Sequence, residues 1–133
     1  MRTLLITTLG AALLLSGCAA EETTACGDPG GSTMCPGSDC LGCHSFKVAG
    51  TVFASASSTS PLSGATVTIS PSSGADVVLT SNSAGNFYTS ASLAFPLSVT
   101  VSKGVAATSM GPLVTAGNGG CNSCHDATQR IHP

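Results

Sequence analysis

Five residues recur as a unit: Cys40-Leu41-Gly42-Cys43-His44 near one end of the chain and Cys121-Asn122-Ser123-Cys124-His125 near the other. Two thiols three positions apart, followed at once by a histidine, form the attachment pattern for a c-type haem. Each thiol can form a thioether with one vinyl group of the macrocycle, and the adjacent imidazole then falls beneath the iron as its proximal ligand. The spacing matters because the vinyl groups sit a fixed distance apart on a rigid ring. Two other chemistries use the same residues: disulfides within each motif, or zinc held by two CxxC knuckles. The knuckles here are separated by a whole domain's length, and zinc needs no histidine after each. The pattern therefore points to two covalently attached c-type haems, bound through Cys40, Cys43, Cys121 and Cys124, with His44 and His125 on the irons.

An iron in a haem has two axial positions, and the chain holds few side chains for the second. His132, in Arg130-Ile131-His132-Pro133, is the histidine outside the motifs. It is the favoured distal ligand, either for the ring beside His125, seven residues away, or for the ring on Cys40 and Cys43. Met34 and Met110 are weaker candidates, and a methionine ligand raises the potential.

The start of the chain concerns where such a protein would reside. Arg2 supplies a short positive region, and Leu4 to Leu15 is an apolar run of signal-peptide length, too short to span a membrane. It ends in Leu15-Ser16-Gly17-Cys18, which resembles the lipobox of bacterial lipoproteins. The resemblance implies cleavage after residue 17, lipidation of Cys18, and anchoring through several acyl chains, which stable attachment requires. Ala19 rather than an aspartate follows the cysteine, which by analogy implies the outer membrane of the cell envelope. From Cys18 onward, Lys47, Lys103 and Arg130 stand against Glu21, Glu22, Asp28, Asp39, Asp76 and Asp126, a net charge of −3 with neutral histidines. A nucleic-acid partner would require a basic patch, and none is present.

The cysteine inventory closes. Of seven cysteines, one would carry lipid and four haem, leaving Cys26 and Cys35. An oxidising compartment permits these two to pair and close a short Gly- and Pro-rich loop.

Between the motifs the texture is that of short strands. Residues 18–39 lack any hydrophobic period and read as a tether, followed by the first haem-binding segment at 40–46. Residues 47–116 then alternate apolar and polar side chains in runs at 47–54, 65–70, 77–80, 86–89 and 97–101, with a weaker sixth run at 110–116. Short β-branched runs separated by regular turn signals predict a mainly β fold, a single antiparallel β-sandwich. Phe53, Phe87, Val67 and Ile69 are the expected core, and Gly64 and Gly85 fall where turns can require positive φ. Residues 117–133 form the second haem-binding segment.

Four stretches in this region carry a resemblance: Val48-Ala49-Gly50-Thr51-Val52, Pro61-Leu62-Ser63-Gly64-Ala65-Thr66-Val67-Thr68-Ile69, Thr80 to Phe87, and Leu97 to Gly104. Together, over about residues 47–105, they resemble the carboxypeptidase regulatory-like, prealbumin-like β-sandwich. Val105 stands where that family commonly has an aromatic, and Asn82 where several members have an acid. The resemblance implies an immunoglobulin-like sandwich serving as a spacer without catalysis of its own. The motifs and the Arg130–Pro133 tail resemble small multihaem c-type cytochromes.

If six strands alternate in direction, the chain returns to the end at which it started, and both haem segments share one end of the sandwich. The expectation from sequence is thus a dihaem c-type cytochrome lipoprotein that carries electrons in the bacterial envelope. Its partners would be the membrane, through Cys18, and other redox proteins. The alternative is a non-redox structural or ligand-binding lipoprotein whose CxxC pairs bind zinc or form disulfides. A dihaem peroxidase would need an open iron and acid–base groups that so short a chain does not offer. Sugar binding would need aromatic platforms, against no Trp and the single Tyr88.

Overall fold

The computed structural model describes residues 34–133. The expected signal segment, Cys18 and Cys26 lie outside the described residues. The fold is mainly β, with two antiparallel sheets. Strands β1 (Val48–Thr51) and β4 (Asn86–Thr89) pair as one sheet. Strands β2 (Thr66–Pro71), β3 (Val77–Thr80), β5 (Leu97–Lys103) and β6 (Ala106–Ser109) form the other, in the order β3-β2-β5-β6. No helix among the described residues is long and apolar enough to cross a membrane.

The sandwich follows from alternation. In β2, Val67 and Ile69 are buried while Thr66 and Thr68 are only partly covered. In β5, Leu97, Val99 and Val101 point inward in the same way. A period of two places one set of side chains on one face of a sheet. These inward faces meet Val48, Val52 and Phe87 from the smaller sheet, with Ala65 and Val114 completing the core. Phe53, Phe87, Val67 and Ile69 are all buried, and Gly64 and Gly85 have φ of 68° and 73°.

The sixth strand differs from its expected place at 110–116. Gly104, at φ 60°, reverses the chain directly after β5, and β6 pairs back on it from Thr100↔Ser109 to Lys103↔Ala106. All four residues of β6 are exposed, so the strand buries no face and has no alternation to read. The 110–116 segment contains Pro112 and contributes one bridge, Leu97↔Val114.

Strand β1 is the part of the fold that matters for the motifs. β4 covers one of its edges, and an uncovered strand edge leaves a row of backbone donors to satisfy. The C-terminal segment satisfies them. The N–H groups of Ala49, Thr51 and Phe53 donate in turn to the Gly119 carbonyl (3.0 Å), the Asn122 side-chain Oδ1 (2.9 Å) and the Ile131 carbonyl (2.8 Å). Residues 119–131 thus run beside β1, touching it as a parallel bridge at each end, Ala49↔Gly120 and Val52↔Ile131. The second motif is the excursion between these bridges.

Candidate functional site: two motif turns on one strand

The two pentapeptides fold alike. Cys40–Gly42 and Cys121–Ser123 each form a single tight turn. In both, the backbone N–H of the histidine donates to the carbonyl of the first cysteine, at 3.0 Å for His44 and 2.9 Å for His125. The fourth residue of each motif also donates to that carbonyl. Residues three and four apart lie on one face of a helical turn, so each motif gathers its thiols and imidazole on one side. The first thiols match as well: Cys40 Sγ and Cys121 Sγ each lie 3.6 Å from the carbonyl two residues earlier.

The turns lie side by side. Asn122 Nδ2 donates to the Ser38 carbonyl at 2.8 Å, joining the second motif to the entry of the first. A Cβ placed on Gly120 would stand 3.4 Å from both Asp39 Oδ1 and Leu41 Cδ1. Close approach is possible because two glycines leave room. A Cβ on Gly50 would meet Cys121 Cβ at 2.8 Å, and one on Gly119 would collide with the Lys47 carbonyl. The expected neighbourhood of the two motifs is therefore present, but it arises from the return of the chain along β1, not from strand counting.

A buried polar cluster locks this arrangement. The Thr51 hydroxyl donates to Asn86 Oδ1 (2.6 Å) and accepts from Gly37 N (2.9 Å) and Asn122 Nδ2 (3.0 Å). That is one donor and two acceptor sites, the full capacity of a hydroxyl. Asn86 Nδ2 reaches the Met34 carbonyl at 2.7 Å. Thr51, Asn86 and Asn122 thereby connect the approach to the first motif, both strands of the small sheet and the second motif. Sequence reasoning did not single them out. Asn122 occupies a variable position of its motif, and an asparagine there carries no signal until its partners are in place.

The surroundings of the two motifs differ. Beside the second lies a cavity of about 350 Å³, whose walls include Phe87, Val99, Val101, Met110 and Ile131 together with Cys121, Cys124 and His125. This volume is in the range of small-molecule and cofactor pockets, and its lining is mostly apolar, as such pockets are. His125 is oriented within it: Nδ1 lies 2.9 Å from the Gln129 carbonyl. A carbonyl only accepts, so Nδ1 is the donor, and the tautomer this contact selects leaves the lone pair on Nε2, the arrangement found in metal-bound histidines. The turn that returns Gln129 to His125 is built on Asp126, whose Oδ1 accepts from Thr128 N (2.8 Å) and Oγ1 (2.7 Å). Those hydrogen bonds hold the Asp126 carboxyl below its ordinary range.

His132 and Met110 both line this cavity. The His132 Nδ1 is likewise engaged, 3.0 Å from the Pro133 carbonyl oxygen. Met34 is instead exposed, near the entry to the first motif. Arg130 also lines the cavity. Its guanidinium lies 4.1 Å over the Phe53 ring, and its Nε is buried without a hydrogen-bond partner. A buried donor left unpaired costs roughly 1–3 kcal/mol, more when charged.

The first motif is more open. His44 is exposed and stacks on Phe46 (5.0 Å between centroids), which stacks on Tyr88 (4.5 Å). Cys40 is buried, but Cys43 is held in a disulfide, as is Cys35. Cys26, the expected partner of Cys35, lies outside the described residues. Thioether formation at Cys43 requires a free thiol, so that disulfide must be reduced before haem can attach there. Cys121 and Cys124 are free thiols, as is Cys40. Burial, and secondarily the neighbouring Cys40, pushes the Cys121 thiol up to about 12, and burial raises Cys40 as well.

The residues of the second motif fit a covalently attached haem: two free thiols and an oriented imidazole on one turn, with a mostly apolar cavity beside them. No group of three or more His, Cys, Asp or Glu is gathered to hold a metal ion among the described residues. Compared with known proteins, the chain matches no family, no curated protein and no solved structure.

Proposed function

We propose that this chain is a dihaem c-type cytochrome, anchored in the bacterial envelope through lipid on Cys18, that carries electrons and is not an enzyme. The observation that carries the reading is the second motif: Cys121, Cys124 and His125 on one turn, with His125 Nδ1 tied to Gln129 and a cavity of about 350 Å³ alongside. Cys121 and Cys124 would hold the macrocycle and His125 would ligate its iron. His132 or Met110, both in the cavity wall, would supply the other axial ligand. Cys40, Cys43 and His44 would hold the second group once Cys43 is reduced. When bound, each haem supplies one-electron chemistry; the protein sets its ligands, burial and field. With the motif turns adjacent, transfer between the two haems would stay within one chain. The carboxypeptidase regulatory-like sandwich would serve as the scaffold that holds this pair. The outer membrane is the proposed location, with other redox proteins as partners.

The test is a visible spectrum of the chain expressed with a cytochrome c maturation system. Soret and α bands that survive denaturation, with a mass increase of two haems, are expected; no covalent haem overturns the reading.

A second reading is favoured by one observation, the disulfides at Cys35 and Cys43. In it the chain is a structural lipoprotein whose cysteines staple the segments around the sandwich. Thiol counting before and after reduction distinguishes the two, because thioether sulfurs are not released by reductants and disulfide sulfurs are.

A further inference from the structure

Strand β6 ends the larger sheet, and its far side is bare. Met110 N–H donates to the Val99 carbonyl at 2.9 Å, which makes these two residues a hydrogen-bonded pair. Such pairs alternate along an antiparallel ladder. With Thr100 opposite Ser109 and Lys103 opposite Ala106, the main-chain groups of Ala106 and Thr108 turn to β5. Those of Ala107 and Ser109 turn away from it. No main-chain group among the described residues meets them there.

Strand edges are commonly guarded by a lysine, a proline, a bulge or a covering segment. On β1 the C-terminal segment does this. β6 carries neither charge nor proline, and residues 104–124 contain no Asp, Glu, Lys or Arg. The adjacent Lys103 is turned back, its Nζ donating to the Ser63 and Gly64 carbonyls at 3.0 and 2.9 Å. β3, at the opposite end of the sheet, starts directly after Asp76. Two exposed apolar side chains flank β6, Val105 before it and Leu113 after it.

We infer that the β6 edge is a self-association surface whose occupant is a second copy of this chain, paired antiparallel about a two-fold axis at Thr108. Charge selects this edge: two copies of net charge −2 repel each other, and here they can meet without bringing charged side chains together. The pattern is also self-complementary, as a two-fold interface requires. With Thr108 opposite itself, Ala107 of each copy faces Ser109 of the other, so the outward groups meet as two hydrogen-bonded pairs. The same register sets Val105 opposite Gly111 of the second copy and beside its Leu113, so the apolar residues flanking the edge cover one another. A register one residue off sets Ala107 opposite Thr108, whose main-chain groups β5 already uses. Thr108 lines the cavity beside the second motif, and directly opposed residues share a face. The two cavities would therefore open on one face of the joined sheet, on either side of the axis. The inference is independent of the haem reading.

Four strand residues from each copy make a small interface, so the association belongs to the weak, transient class. Sedimentation equilibrium of the full chain tests it. Reductant and a mild non-ionic detergent keep intermolecular disulfides and the apolar run at Leu4 to Leu15 from contributing. The mass should rise from monomer toward dimer as concentration approaches about 1 mM, and stop there because two-fold pairing closes on itself. Ala107→Pro removes an outward N–H without touching a bond to β5, and Val105→Lys places a charge at the flank. Both should abolish the dimer, while Val78→Lys, on the exposed face of β3, should leave it unchanged. In hydrogen exchange the amides of Ala107 and Ser109 should slow as the dimer forms. Should the proline variant not fold, Val105→Lys and the exchange decide, because Val105 is fully exposed and its replacement leaves the monomer intact. A wild-type chain that stays monomeric leaves this edge to solvent or to a different partner and overturns the inference. So does a dimer that survives Val105→Lys, or one in which Ala107 and Ser109 still exchange as in the monomer.

Discussion

The two pentapeptides are the same motif in two environments. Their turns share hydrogen-bonding pattern and thiol placement, so the local sequence alone explains their shape. What differs comes from the rest of the fold. The second motif is an excursion from a segment running beside β1, and it opens onto a cavity walled by β5 and the residues after β6. The first follows a stretch joined to the core by the Thr51, Asn86 and Asn122 cluster, and its histidine looks outward onto Phe46 and Tyr88. A motif fixes which side chains share a turn; the surrounding strands decide whether they lie beside a mostly apolar cavity or in solvent.

The sharpest way to separate the two sites is to remove each in turn. On the dihaem proposal, Cys121→Ala/Cys124→Ala should reduce the covalent haem count from two to one, and so should Cys40→Ala/Cys43→Ala. Intact-mass measurement reads both. The remaining haems should differ: the one beside the cavity is expected to keep a low-spin spectrum, because His132 and Met110 are at hand, while the one at His44 faces solvent. Identical spectra for the two single-haem proteins would break the comparison.

Thiol reactivity sharpens it in the haem-free, reduced chain. The thiolate is the nucleophile, so a raised pKa slows alkylation at neutral pH. With Cys121 pushed from 9.0 up to about 12, its thiolate fraction at a pH below both values falls about a thousandfold. Cys124, which is exposed, should therefore be alkylated first by a wide margin, and Cys121 should follow only at strongly alkaline pH or on unfolding. Peptide mapping after a timed pulse of iodoacetamide gives the order, and equal labelling would mean that the burial of Cys121 is not what the fold indicates.

Much of this was legible in the residues. The alternation in 65–70 and 97–101 gave the two central strands of the larger sheet, because those strands bury one face and a buried face imposes its period. β6 was misplaced because it buries nothing, and strand pairing without burial leaves no trace in hydropathy. The motif thiols and histidines were evident from spacing alone. The link between the motifs was not, since it depends on Asn122 substituting for a backbone acceptor at Thr51 N, a role any polar residue type could suggest and only the neighbouring edge defines.

Stability measurements probe the shared foundation. Phe87 is buried in the core opposite Gly50 and forms part of the cavity wall. Phe87→Ala should cost about 3–5 kcal/mol in chemical denaturation of the haem-free chain, with the second site losing its wall and the first affected only through global stability. Asn122→Ala leaves Thr51 N and the Ser38 carbonyl without their partners, and a loss of about 1–3 kcal/mol is expected. Because Asn122 touches the approach to the first motif, this variant should loosen both sites at once, seen as faster amide exchange at Gly37 to Cys40 as well as at Cys121 to His125. Exchange confined to the second segment would show that the two motifs are merely adjacent.

The smallest effect belongs to the exposed aromatic column. Tyr88 is 54% exposed and contributes the outer ring of the stack that continues through Phe46 to His44. Offset-stacked pairs are worth about 0.5–1.5 kcal/mol beyond their area, and solvent on one side of Tyr88 argues for the lower part of that range. Tyr88→Ala should therefore change global stability by no more than about 1 kcal/mol. Its local effect should be one-sided: ring proton lines of His44 shift as Phe46 loses its support, while those of His125, held by the Gln129 carbonyl and separated from Tyr88 by the small sheet, stay where they are. A shift at His125 of similar size would mean that the two imidazoles share a common environment, and the contrast between an oriented site and an open one would have to be abandoned.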